Sequence, residues 1–140
     1  MLHQKATQSA IAAMSRLAEL HATGDAASSA EIARVRNLPQ PVVAKLLTTL
    51  ARAGLITGSP GPGGGYRLAK PAIEISLWDI VQLFERPTES ACPFGPKWCH
   101  IGDKEHCPLH HTLLAMQEIE ANYLRSTNFA VFQGKNRSQN

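Results

Sequence analysis

A chain of 140 residues has room for one compact domain and a projecting element, not for two independent cores. Its 44% hydrophobic and 18% charged residues are those of an ordinary globular protein. No run approaches the roughly eighteen apolar residues of a membrane span, and Met1-Leu2-His3-Gln4-Lys5 opens an amphipathic segment instead of a signal peptide, so the expected setting is the reducing cytoplasm, with no membrane partner. The net charge of +3 is uneven: residues 1–70 hold eight Lys/Arg against three Asp/Glu and residues 71–140 six against eight, so the first half suits a polyanion.

Residues 7–21 place Ile11, Met14, Leu17, Ala18 and His21 on one helical face, and Gly24-Asp25 ends that helix. Ser28 and Glu31 have the spacing of a capping box for a short second helix, with Ile32 and Val35 inward, which stops at Asn37-Leu38-Pro39. Pro41 suits the first position of a third helix, where Val43, Leu46, Leu47 and Leu50 form an apolar stripe opposite Pro41, Lys45, Thr48 and Arg52. Two helices joined by a short turn, the second with a basic outer face, predict a helix-turn-helix. Residues 55–57 and 66–68 read as strands around the glycine-rich stretch 58–65, a hairpin of the kind called a wing. Ser76 and Asp79 cap a fourth helix bearing Leu77, Ile80, Val81 and Phe84. A long last helix is expected over residues 108–127, with Leu109, Leu113, Met116, Ile119, Tyr123 and Leu124 as its apolar set.

Between these helices, residues 86–107 form an irregular loop holding all three cysteines, Cys92, Cys99 and Cys107. An odd, clustered set in a cytoplasmic chain points to metal or redox chemistry over a disulfide framework. Thiolate sulfur is soft and suits iron–sulfur clusters, zinc or cuprous copper. With Pro108 as the first helical residue, Cys107 would cap the last helix, whose positive end favours the thiolate, and His110 would share its face. His110 is therefore the candidate fourth ligand, with His100, His106 and His111 as competitors. No nucleophile–base constellation or phosphate-binding loop is present: residues 61–65 lack the lysine and following helix of a P-loop, so no enzyme and no small-molecule substrate are expected.

The order of helix, helix-turn-helix, a wing reading Gly61-Pro62-Gly63-Gly64-Gly65-Tyr66-Arg67-Leu68, then Leu77-Trp78-Asp79-Ile80-Val81, three cysteines and a terminal helix resembles the Rrf-two family of transcription regulators, the group of IscR, NsrR and RirA. The resemblance reaches to about residue 130. It implies a mainly α fold with a small β-hairpin wing, a winged helix-turn-helix with a long C-terminal dimerisation helix. It also implies that the cysteines hold an iron–sulfur cluster (2Fe–2S or 4Fe–4S) governing DNA binding, and it strengthens His110, since one member of the family pairs three cysteines with a histidine at this offset. The cysteine spacing, six and seven intervening residues, is wider than is common in the family's cluster loops.

The expected organisation is a DNA-binding domain over residues 1–85, a cluster loop over 86–107, a dimerisation helix and following segment over 108–132, and a frayed tail over 133–140. Base-edge contacts are expected from Lys45 and Thr48, an adenine or phosphate contact from Gln40 with Pro41 beside it on the DNA-binding face, phosphate contacts from Arg34, Arg36 and Arg52, and wing contacts in the minor groove from Gly63, Gly64 and Arg67. Leu113, Met116, Ile119 and Tyr123 are the expected homodimer seam, which would let two half-sites of a double-stranded operator be read together. The function expected is a transcription regulator, a repressor, whose operator affinity follows iron supply, nitric oxide or redox stress. The alternatives are the same fold with structural zinc or thiol-only sensing, and an iron–sulfur electron carrier, in which the basic helix-turn-helix would have no role.

Overall fold

The computed structural model describes residues 3–85 and 108–133. The first helix, α1 (Lys5–His21), has alanine and long aliphatic residues spaced to bury one face, and Ala10, Ala13, Met14, Leu17 and Ala18 are sealed from solvent. His21, expected on that face, is instead exposed in the last turn, at the edge of a cleft shared with Arg67 and Leu68 of the wing. α1 is the hub of the fold: α2 (Ser29–Arg36), α3 (Gln40–Arg52), α4 (Leu77–Phe84), the wing and a C-terminal 3₁₀ turn all pack on it.

The α2–α3 junction follows from local chemistry. The Ser28 hydroxyl accepts the Glu31 amide and starts α2, but Glu31 does not complete a reciprocal box, because its carboxylate is held by Arg16 of α1. The helix ends at Asn37, in the left-handed conformation at φ 54°, with the Leu38 amide donating to the Ala33 carbonyl and the Asn37 amide to that of Arg34. This is a Schellman turn, so the stop is made by Asn37 as well as by Pro39 downstream. α3 starts one residue earlier than expected, at Gln40, and buries the whole stripe Val43, Leu46, Leu47 and Leu50.

The wing is a two-stranded antiparallel sheet, β1 (Ile56–Ser59) with β2 (Gly65–Leu68), in the register Ile56 to Leu68 through Ser59 to Gly65. Tyr66 also exchanges both backbone hydrogen bonds with Ala27, at 2.8 and 3.1 Å, which ties the wing to the segment entering α2. Two glycines are needed for this. A Cβ on Gly64 would lie 2.3 Å from the Ser59 carbonyl oxygen, and Gly65, at φ +131°, would drive one to 2.7 Å from the Ala27 carbonyl.

Both halves of the Ser76–Asp79 box are made at the start of α4. The last long helix, α5 (His110–Ser126), begins two residues later than Pro108, with Leu109 preceding its first turn. Pro108 is therefore not its first residue, and the capping position expected for Cys107 falls to Leu109. Beyond α5 the chain turns back: the Leu77 amide donates to the Thr127 carbonyl, the Phe129 amide donates to the Ile75 carbonyl, and a 3₁₀ turn (Phe129–Phe132) packs against α1. Phe129 is fully buried and belongs to the same core as Met14, Leu17 and Ile75, a role not visible in the sequence pattern.

Candidate nucleic-acid interface and cysteine site

With its apolar stripe turned into the core, α3 presents Gln40, Pro41, Val42, Ala44, Lys45, Thr48 and Arg52 outward. Lys45 and Arg52 have no ion pair among the described residues, so their charges are available to a polyanion. Arg34 is likewise exposed on α2. Thr48 is exposed on this face, and its hydroxyl donates to the Ala44 carbonyl at 3.1 Å, so within the protomer its proton is used in its own helix while its oxygen can still accept.

Arg36, expected at a phosphate, has its partners inside the domain. Its Nε donates to the Ala12 carbonyl and the Ser15 hydroxyl, and a terminal nitrogen meets Glu19 at 2.7 Å. Arg16 completes the arrangement by bridging Glu31 at 2.6 Å and Glu19 at 3.3 Å. The Glu31 hydrogen bond pushes the Arg16 guanidinium further up, against the opposing effect of burial. The resulting ladder of alternating charges locks α2 against α1. Arg67 sits at the base of the wing, not its tip, and its Nε donates to the Gly24 carbonyl at 3.0 Å. Gly63 is at the exposed tip, while Gly64 is walled in by the carbonyls of the turn itself.

Cys92, Cys99 and Cys107, with His100 and His106, lie outside the described residues. Among the described residues no group of three or more His, Cys, Asp or Glu is placed to hold a metal ion. His110 opens α5, half-buried, with its ring edge-on to that of His111 at 5.5 Å. A feature absent from the sequence reading joins the residue before 86–107 to the middle of α5. His3 places Nδ1 at 2.7 Å from Glu85, the last described residue before that stretch, and Nε2 at 2.7 Å from Glu120 on α5. Both contacts are hydrogen bonds only when both ring nitrogens carry protons. The Gln4 amide also donates to Glu85, so this carboxylate serves the otherwise uncapped start of α1. Burial pushes the Glu85 carboxyl up, but the hydrogen bonds from His3 and Gln4, with the charge on His3, hold it below its ordinary value.

α5 carries an exposed apolar stripe: Met116 is 55% exposed, Ile119 70% and Tyr123 61%, while Leu113 is half-buried. The helix is anchored by Glu120 through His3, by buried Leu124, and by Arg125, whose guanidinium stacks 4.5 Å from the Trp78 ring.

Residues 3–134 match the family model of Rrf2, described as an iron-dependent transcriptional regulator. The chain belongs to the Rrf2 family. Members of this family are transcriptional regulators that bind DNA, and the chain has their winged-helix fold. An HTH-type regulator of Aquifex aeolicus is 35% identical over 82 residues, 58% of this chain and 57% of that one. IscR of Cereibacter sphaeroides is 40% identical over 58 residues, 41% of this chain and 37% of its own length. The chain thus spans about half the length, or less, of the curated relatives it matches. Among solved structures, the IscR of T. potens shares the Rrf2 fold at a TM-score of 0.78 and 20% identity, covering 100% of this chain and 92% of that one. CymR of Staphylococcus aureus aligns at 0.72 and 26% identity, covering 93% and 96%. Among the described residues no helix is long and apolar enough to cross a membrane.

Proposed function

We propose that this Rrf2 regulator binds a two-fold operator as a homodimer, with α3 in the major groove, and that an iron–sulfur cluster on Cys92, Cys99 and Cys107 sets its affinity. The observation that carries the reading is the cysteine set: three soft donors within sixteen residues, in a chain matched almost end to end by a family described as iron-dependent. Their chemistry fits a cluster, which three thiolates and one further ligand can hold. His110, three residues after Cys107 in sequence and at the start of α5, is the described side chain best placed to complete the set. Such a cluster supplies a centre that reacts with oxidants and nitric oxide and is lost when iron is scarce.

The protein's own part is mechanical. α5 offers its exposed stripe to a second copy, and two α3 helices related by that axis would reach successive turns of the groove. Lys45 and Gln40 serve base edges, Arg34 and Arg52 serve phosphates, and the Gly63 tip lets the wing backbone approach the minor groove. α1 connects the two ends, since His3 and Glu85 sit at its N-terminus and the Arg16–Glu19–Glu31–Arg36 ladder holds α2 further along. A change near residues 86–107 that moves α1 would therefore move the helix-turn-helix.

Anaerobic purification followed by a visible absorption spectrum and metal analysis tests the cluster. Sulfide-to-iron absorption bands that vanish in each of Cys92→Ala, Cys99→Ala and Cys107→Ala support it; a colourless protein carrying zinc or no metal sinks it. A second reading, sensing by the thiols alone, is favoured by the likeness to S. aureus CymR, for which an oxidized form is also similar, at 25% identity. In that case the colourless protein would still change its operator affinity reversibly with oxidant.

A further inference from the structure

The outward face of α3 is unusual for a surface meant to meet DNA by hydrogen bonds. Of the exposed residues in its first two turns, Gln40 and Lys45 can hydrogen-bond, whereas Pro41, Val42 and Ala44 offer only hydrocarbon, and Val42 is 42% exposed although nothing in the fold requires an apolar residue there. Thr48, one turn beyond Ala44, donates its hydroxyl proton to the Ala44 carbonyl, which leaves its oxygen as an acceptor only and its methyl as hydrocarbon surface beside the other groups. Lys45 stands among these groups as the one unpaired charge, and Arg52 continues the face toward the C-terminus. An apolar surface around a lone ammonium, on the helix that a winged helix-turn-helix inserts into the major groove, has a specific complement. The thymine 5-methyl is the hydrocarbon group that standard base pairs display there, while guanine O6 and N7 accept from lysine.

We propose that α3 reads thymine by its methyl group, with Val42 as the principal contact, Pro41, Ala44 and the Thr48 methyl as its surround, and Lys45 taking an adjacent guanine edge. The inference rests on the assignment of α3 as the recognition helix. It adds to that assignment the class of sequence read: half-sites in which thymines abut a G·C pair, discriminated by apolar contact.

The test begins with an operator selected from randomised duplex DNA by the 140-residue chain. Each thymine in the selected site is then replaced by deoxyuridine, which removes the methyl and keeps the Watson–Crick face, and affinities are measured by fluorescence anisotropy. Losing one buried methyl should weaken binding by about fourfold, the equivalent of roughly 0.8 kcal/mol, and symmetric loss in both half-sites by about fifteenfold. In Val42→Ala, which is exposed and so leaves the fold intact by circular dichroism, one thymine position should lose its penalty to within twofold. In Lys45→Ala the deoxyuridine penalties should persist while guanine discrimination falls. Deoxyuridine without effect at every position, with Lys45→Ala still impaired, overturns methyl reading and leaves the helix assignment standing; if Lys45→Ala is silent too, that assignment fails with it.

Discussion

Replacing Ile119 with glutamate probes the proposed dimer seam without touching the protomer's core. Ile119 is 70% exposed on α5, so the substitution removes nothing on which the isolated fold depends. Full burial of an isoleucine side chain contributes about 1.5–3 kcal/mol, and the exposed fraction leaves about 1–2 kcal/mol to be gained at an interface. A two-fold seam contains the residue twice, so the loss is about 2–4 kcal/mol before the cost of desolvating two carboxylates is added. At about 1.4 kcal/mol per decade, the dimer dissociation constant should rise roughly 30- to 700-fold. Sedimentation equilibrium over a concentration series reads this directly, and binding to a two-fold operator should fall with it while a single half-site is still bound weakly. The reasoning is refuted if the variant dimerises within threefold of wild type, or becomes monomeric only with loss of helical circular dichroism.

Phe129→Ala should behave in the opposite way, lowering stability by about 3–5 kcal/mol because it empties a fully enclosed site shared with α1. Urea unfolding at fixed protein concentration measures this, and a loss below about 1 kcal/mol would show that the C-terminal turn is not part of the core. Arg36→Ala should reduce stability by about 1–3 kcal/mol with the salt dependence of DNA binding unchanged, since its charge is committed to Glu19 and the Ala12 carbonyl. Arg52→Ala should leave stability alone and lower the magnitude of the salt slope by about one; if the two variants exchange these behaviours, their assignments are reversed. Because the Glu85 carboxyl is held below its ordinary value, it contributes stability above the usual glutamate range that is lost as the pH falls through its lowered pKa in the folded protein. Glu85→Gln should therefore be less stable than wild type at neutral pH, the gap closing on the acid side of the carboxylate range; a gap independent of pH removes the role of its charge.

The parts of the fold set by neighbours in sequence could be read before the structure. The stripe Val43, Leu46, Leu47 and Leu50, the Ser76–Asp79 box and the glycine-rich wing are local, and each forms where its own chemistry calls for it. What escaped was set by distant partners. Arg36 reads as a surface cation because nothing near it shows that Glu19, seventeen residues earlier, faces it at 2.7 Å. Glu31 has capping-box spacing, but its carboxylate goes to Arg16, a charged partner that wins over a backbone amide. Phe129 follows a long helix in a stretch without periodicity, so its burial depends on a return path that no local signal marks. His3 carries no motif, and its two carboxylates come from α5 and the end of α4. Of the candidate interface, the outward face of α3 was legible from the helical period alone, whereas the hydrogen bonds of Thr48 to Ala44 and of Arg67 to Gly24, and the inward commitment of Arg36, required coordinates.

The return of Phe129 to α1 also constrains how the protein is born. The helix-turn-helix and wing have left the ribosome's active site by residue 85, yet the pocket over Met14 and Leu17 stays open until residue 129 is made. At the usual pace of translation that interval is roughly two to nine seconds, far longer than a small helical domain needs to fold. The nascent winged helix therefore waits, incomplete, for a side chain encoded beyond the cysteines and beyond α5. A message cut short in that interval releases a domain whose core lacks Phe129. The core is thus completed only after Cys92, Cys99 and Cys107 have been translated.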